Sequence, residues 1–317
     1  MNPARRSPDG AFRRLDLTVQ RRVSGLLQGE SAGLRLGPGS DAEELVPYSP
    51  GHDVRRIDWN ATARLGDPHV WLTQAEHELE TWVLVDRTPS MAFGTALAEK
   101  VEVAEATVSA IGIVADGPGN RVGLGILDAG GVRWRPPTTG RRVARRLLTT
   151  EPPSPRTSET ATAGPTFAAA LVELGRRARI PGLRVVVSDL LPADGTWERS
   201  FDWEPPLRRL TARHDVIVVE IVDPRELDLP VVGHVTILDP ETGRQHEVDT
   251  SDPRLRAAYA EAMRSLRDHN AEAVRAAGAD HLRVSTDDDW ARLLIRLLRR
   301  RARHPRPARS RAATATH

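Results

Sequence analysis

Trp82-Val-Leu-Val-Asp86-Arg-Thr-Pro-Ser90 is an apolar run that stops on a carboxylate and passes into a turn carrying two hydroxyls. A short apolar run bounded by turn residues reads as a strand buried on both faces, as in a parallel sheet covered by helices. The residues that follow support this. Over 96–114 the positions Leu97, Val101, Ala104, Val108 and Ile111 recur at helical spacing. Strand and helix then alternate to the end of the chain, which predicts an α/β fold with a doubly wound, mostly parallel sheet over residues 79–302.

The units of that alternation are readable one by one. Residues 121–127 and 131–135, joined by Asp128-Ala-Gly-Gly, predict a hairpin. A short helix is expected over 141–148, a low-complexity loop over 151–164, and a helix over 166–179. Strands follow at 183–189, 215–222, 234–238 and 281–285, with a long helix over 253–277 and a closing one over 287–301. The closing helix lines up Trp290, Leu293, Leu294, Leu297 and Leu298, with Asp287-Asp-Asp289 before its start and Arg299 to Arg303 at its end, where capping and the helix dipole account for both charge runs.

Upstream of the first core strand the pattern is different. Residues 13–78 predict a small, loop-rich β section: the apolar spacing over 15–27 changes from alternate to helical, Gly33-Leu-Arg-Leu-Gly37 reads as a short strand, and residues 69–74 alternate like another. Residues 1–12 and 303–317 are rich in Pro, Arg, Ser, Ala and Thr without an apolar period. They are expected to be disordered tails, because too little surface is available to bury against the cost of ordering.

The 317 residues are 39% hydrophobic and 28% charged, enough to build a large core. The absence of cysteine removes disulfides, thiolate metal sites and thiol nucleophiles, so any metal must take oxygen or imidazole ligands. No stretch approaches the roughly 18 apolar residues of a membrane span, and the Arg-rich start has no apolar signal region, so a cytoplasmic location is expected. Lys100 is the sole lysine among 45 basic residues. The arginines concentrate at the two ends, yet aromatic residues make up only 4% and do not interleave with them, which gives no base-stacking platform, so no nucleic-acid partner is expected.

Ligands of doubly wound sheets bind beyond the carboxyl ends of the strands. Three such places here offer hard oxygen. Asp86, Thr88 and Ser90 alternate along an extended turn, Thr166 stands at the start of a helix after Gly164-Pro165, and Asp189 ends Val185-Val-Val-Ser-Asp. A shell of hydroxyls, carboxylates and water suits Mg²⁺ or Mn²⁺. With no basic group among these residues, the incomplete shell invites a carboxylate from outside, which makes a binding site without an evident nucleophile or base. Plain helix capping is the competing account for each of them.

Asp86-Arg-Thr-Pro-Ser90 with Thr166 and Asp189 resembles the metal-ion-dependent adhesion site of von Willebrand factor A domains, whose pattern is Asp-x-Ser-x-Ser with a distant Thr and Asp. The resemblance implies a von Willebrand factor A or Rossmann-like sheet, direct ligation by Thr88, Ser90 and Thr166, and Asp86 and Asp189 acting largely through waters. Over a longer span, Tyr48-x-Pro-Gly51-x-Asp53-x-Arg55-x-Ile-Asp58-Trp59, Ala63-Arg64, Arg213-His-Asp-Val, Val222-Asp-Pro-x-Glu226 and Leu229-Pro230 are similar to the domain of unknown function 58 family. His52 stands where that family more often has Asp. The resemblance implies a non-enzymatic adaptor that receives an Asp or Glu of a protein partner, with a MoxR-type AAA+ ATPase as that partner. Many members carry membrane helices; no such span is readable here.

Gly51, Asp53, Arg55, Asp58, Trp59 and Arg64 are expected to form a structural ion-pair and turn network with Trp59 as its packing anchor. Two other classes remain open. A metal-dependent hydrolase would use Asp53, Asp58 and His52 near the same ion and needs a base within reach of a metal-bound water. An Arg-driven nucleic-acid binder would lose affinity steeply with salt.

Overall fold

The computed structural model describes residues 19, 43–48, 54, 57–73, 80–94, 98–116, 120–148, 166–180, 182–192, 200–238 and 245–303. Strands β1 (Glu43–Pro47) and β2 (His69–Thr73) form an antiparallel pair, with helix α1 (Trp59–Leu65) between them. The main sheet has six strands: β3 (Glu80–Asp86), β4 (Arg121–Asp128), β5 (Gly131–Thr138), β6 (Leu183–Ser188), β7 (Asp215–Val222) and β10 (Asp280–Ser285). Their order is β10-β7-β6-β3-β4-β5, parallel throughout except for β5, which returns antiparallel along β4 as the predicted hairpin.

The longer helices are α2 (Lys100–Val114), α3 (Arg141–Leu148), α4 (Phe167–Arg177), α5 (Glu204–Thr211), α6 (Pro253–Ala276) and α7 (Trp290–Arg303), and a single turn, Pro224–Leu227, follows β7. Alternation along the strands divides the core into two layers. Val83, Val85, Val185, Val187, Val219 and Ile221 face α2, α3 and α7, meeting Val108, Ile111, Leu147 and Leu294. Trp82, Leu84, Val186 and Val218 face α4, α5 and α6, meeting Leu171, Leu174, Leu207 and Val274. Both faces of the central strands are therefore covered, and this is why they read as unbroken apolar runs rather than alternating ones. On β4 the small residues are forced by the rings opposite: a Cβ on Gly123 would stand 2.5 Å from the Trp82 ring, and one on Gly125 would stand 2.4 Å from the Trp134 ring.

The chain runs outward from β3 to β4 and β5, then crosses back to β6 on the other side of β3 and continues outward to β7 and β10. The direction of winding thus switches between β3 and β6, and their carboxyl ends, Asp86 and Ser188, flank the crevice where an open α/β sheet binds its ligands.

Three expectations need correction, and one helix is additional to them. Strand β8 (His234–Leu238) is not in the main sheet; it pairs with β9 (Gln245–Asp249) as a separate antiparallel ribbon, with its mostly exposed side chains explaining why it has no place between helices. Helix α5 was not anticipated, since Pro205 and Pro206 interrupt the apolar spacing, but they fall in its first turn, where the missing N–H groups have no partner to lose. Helix α2 begins at Lys100 rather than at 96, because Glu99 and Glu102 close a reciprocal capping box there. Trp59 is 70% exposed and anchors nothing among the described residues. Expectations for 15–27 and 33–37 lie outside the described residues, apart from buried Val19. The same holds for residues 1–12 and for 304–317; residue 303 closes α7. Among the described residues no helix is long and apolar enough to cross a membrane.

Candidate functional site

Strand β3 ends at Asp86 because the next amide, Arg87 N–H, makes the last ladder bond to Leu127 O at 2.7 Å. Thr88 then adopts an extended conformation, and Pro89 starts a 3₁₀ turn over Pro89–Ala92. That turn folds back on the carboxylate. Asp86 Oδ1 accepts from Thr88 N at 2.9 Å and from Thr88 Oγ1 at 2.7 Å, and the Thr88 and Ser90 hydroxyls lie 3.2 Å apart. From β6, Ser188 Oγ donates to Asp86 Oδ2 at 2.7 Å. One carboxylate and three hydroxyls therefore meet across the switch between β3 and β6.

Asp86 is buried, and among the described residues no basic side chain bonds it. Burial, followed by the charge of Asp189, pushes its carboxyl up to about 6, against the donors Thr88 and Ser188. Desolvation dominates because a carboxylate without a counterion loses hydration that hydroxyl donors only partly replace.

Asp189 lies one residue beyond Ser188 and has a different environment. Its Oδ2 accepts from Lys100 Nζ at 2.7 Å, and the same ammonium bonds Glu226. Lys100 is fully buried at the start of α2. Burial alone would lower its ammonium, yet Asp189 and Glu226 outweigh that and hold it above the ordinary lysine value. The carboxyl of Glu226 is raised by burial despite the pull of Lys100. Arg267 of α6 donates to the backbone oxygen of Asp189 at 2.5 Å, to Glu220 at 3.1 Å and to Glu226 at 3.4 Å. Glu220, fully buried on β7, also receives Arg283 at 2.8 Å, His281 at 2.9 Å and Asn270 at 3.2 Å. Burial works to raise its carboxyl, but His281, Arg267 and Arg283 bring it down to about 2.

The turn after β6 is strained. Leu190 has a left-handed φ of 52°, unfavourable for a branched side chain, and is fixed from both sides. Its N–H donates to Ser188 Oγ at 3.1 Å and its carbonyl accepts from Asn270 at 3.2 Å. The reward for this backbone is that Ser188 points to Asp86 while Asp189 points to Lys100.

Of the five expected ligands, Asp86, Thr88 and Ser90 come together. Thr166 does not join them by any bond among the described residues. It is exposed, and its Oγ1 caps α4 by accepting from Ala169 N at 3.2 Å, so capping is its observed role. Asp189 is close enough for its charge to act on Asp86, but it is engaged by Lys100. A lysine that is not among the five expected ligands stands on the Asp189 side of the site. Ser188, Lys100, Glu226, Arg267 and Glu220 were missed as site residues. The signals available were the solitary lysine in a chain that otherwise uses arginine, the place of Glu226 in Val222-Asp-Pro-x-Glu226 and that of Ser188 beside Asp189.

The upstream motif is only partly described. Asp58 Oδ1 caps α1 by accepting from Asn60 N and Ala61 N, both at 2.9 Å, and Arg64 Nε donates to Asn60 O at 3.2 Å. These are capping and turn contacts within α1, and Trp59 is exposed. Gly51, His52, Asp53 and Arg55 lie outside the described residues. Among the described residues no group of three or more His, Asp or Glu side chains could hold a metal ion, so a divalent ion here would depend on the hydroxyls beside Asp86.

These features define an α/β domain whose polar site lies at the switch point of a mostly parallel sheet. The chain belongs to the family described as "Protein of unknown function DUF58", which matches residues 44–269. It is 39% identical over 295 residues to an uncharacterised protein of Mycobacterium tuberculosis (strain H37Rv), covering 92% of this chain and 89% of that one. An uncharacterised Mycobacterium avium protein is 34% identical over 168 residues, covering 53% and 94% of the two chains. Among solved structures, the conserved hypothetical protein BatB of Bacteroides thetaiotaomicron is similar over 71% of this chain and 99% of its own, at 16% identity and a TM-score of 0.46. The SpRpn10 von Willebrand factor A domain is similar over 69% and 95%, at 14% identity and a TM-score of 0.39.

Proposed function

We propose that this chain is a protein-interaction adaptor whose contact point is the oxygen cluster Asp86, Thr88 and Ser90, completed by Mg²⁺ or Mn²⁺ and by an Asp or Glu of the partner. The observation that carries the reading is a buried carboxylate, without a basic partner among the described residues, bonded to the Thr88 hydroxyl at 2.7 Å with Ser90 next to it. Hard oxygen donors of this kind suit a small divalent cation that keeps several waters. The three residues fit such an ion. Thr166 and Asp189 would act at most from outside, Asp189 through its charge. When bound, the ion would supply an open coordination position for a carboxylate from outside the chain.

Nothing in this cluster is poised for turnover. Neither a lysine nor a histidine is bonded to Asp86 among the described residues, and Asp58, one of the three residues a hydrolase would use, caps a helix. Resemblance at the level of motifs nominates a MoxR-type AAA+ ATPase as the partner. The test is co-purification of the full chain with that ATPase from the native cell, in Mg²⁺ and in chelator. We expect retention in Mg²⁺ and its loss in chelator or on Asp86→Ala. Capture that survives both treatments would overturn the reading.

A further inference from the structure

The charges on the β6–β7 side of the crevice pair mainly with one another, with His281 also bonding Glu220 and half-buried Arg283 also reaching Asp268 at the surface. Asp189, Glu226 and Glu220 are bonded by Lys100, Arg267 and Arg283, three carboxylates against three cations. Asp86 stands outside this set, bonded only to uncharged donors among the described residues. A crevice with two strand-end aspartates thus has one that is neutralised from within and one that is not.

The neutralisation of Asp189 is built in rather than incidental. Lys100 has no exposed surface, so its ammonium cannot swing out to solvent or to a partner. The left-handed Leu190 and the Arg267 bond to the Asp189 carbonyl fix the turn that aims Asp189 at Lys100. Its other oxygen, Oδ1, accepts from Leu191 N at 3.2 Å. Both carboxylate oxygens are therefore already in use.

We infer that Lys100 acts as a tethered cation that withdraws Asp189 from the crevice, leaving Asp86, Thr88 and Ser90 as the whole ligand set and keeping affinity for a divalent ion low. This rests on the adaptor reading above. A fixed ammonium does part of the work a second coordinated carboxylate would otherwise assign to the metal, and its charge repels an incoming cation at close range. Lys100 is a positioning residue and does not touch the partner.

Mn²⁺ alone, titrated calorimetrically into the full-length protein, provides the test. Lys100→Met frees Asp189, and Lys100→Met with Glu226→Gln frees it without changing net charge, which also lowers the risk of unfolding. We expect both to tighten Mn²⁺ at least tenfold, with binding abolished in every background by Asp86→Ala. Asp86-dependent binding that is no tighter in the double variant would overturn the inference and leave the adaptor reading standing. Binding in neither wild type nor variant would overturn the metal reading itself. Asp86-dependent binding in the variants alone would support the role of Lys100 while removing metal dependence from the natural protein. Because Lys100 is the only lysine, isotope-labelled lysine gives one ammonium resonance in the unaltered chain, independent of any variant's folding. It should persist as a protected signal when Mg²⁺ is added. Its loss to solvent exchange would mean that the ion displaces Lys100 from Asp189, contrary to the inference.

Discussion

The two ends of the sheet both bury charge, and they do so in opposite ways. At the amino-terminal end Arg184 is fully buried on β6 and donates to backbone oxygens: Glu80 at 2.5 Å, Leu183 at 2.9 Å, and Ile180. Nearby, Arg301 of α7 bridges Asp215 and Asp280, the first residues of β7 and β10. Each of these charges ends on a local partner and fastens helix or loop to strand. At the carboxyl end a charge network forms around Glu220, Glu226 and Asp189 but leaves Asp86 over. Buried charge alone therefore does not mark a site. Arg184 also lacks a bonded carboxylate, so what sets Asp86 apart is its place at the switch between β3 and β6, beside the hydroxyls of Thr88, Ser90 and Ser188.

The largest effect should come from breaking the network at its centre. Arg267→Met removes the cation shared by Glu220 and Glu226 and orphans the Asp189 carbonyl. Removing one partner of a buried ion network is destabilising by about 3–5 kcal/mol, to be read from urea unfolding. A loss below about 1 kcal/mol would mean that His281, Arg283 and Lys100 suffice without it.

Asp86 should behave in the reverse sense with pH. Its folded value of about 6 lies above the ordinary 3.8, so its contribution to stability is fully present below pH 3.8 and is lost as pH rises through 6. The span corresponds to about 3 kcal/mol. His214 runs the other way: burial, then Arg184 and Arg213, bring it down to about 4, so it favours the fold above 6.5 and withdraws that support as pH falls through 4. The two overlap, and a wild-type curve alone would blur them. The stability difference between Asp86→Asn and wild type, free of divalent ions, isolates Asp86: the variant should gain relative to wild type between pH 4 and 7. A flat difference would show that Asp86 is not the uncompensated group.

The contrast between the two ends was only half legible in the sequence. Strands β3, β6 and β7 declare themselves because each is an apolar run covered on both faces, and Asp86, Thr88 and Ser90 are visible because they are local, within five residues. Lys100 and Arg267 are not visible in this way. Their positions fall in helices that read as amphipathic, and only the packing of α2 and α6 against the ends of β6 and β7 turns them inward, 89 and 78 residues in sequence from Asp189. Thr166 illustrates the opposite failure, since an N-cap hydroxyl and a metal-binding hydroxyl occupy the same place in a sequence pattern and only direction separates them. His234–Leu238 shows it for strands, where alternation identifies the element but not the sheet it joins.

The smallest effect belongs to the amino-terminal end. Arg184 is drawn down to about 10 by burial, against the pull of Glu80, and the bonds it donates end on backbone carbonyls. Arg184→Met therefore leaves neutral acceptors unsatisfied rather than a bare carboxylate, and the penalty for buried neutral groups is about 1–3 kcal/mol. Part of it should be offset, because the variant no longer desolvates a guanidinium. Measured side by side, Arg184→Met should unfold at higher urea than Arg267→Met and leave Mn²⁺ binding at Asp86 unchanged. Equal losses would mean that the carboxyl end is held together no differently from the amino end.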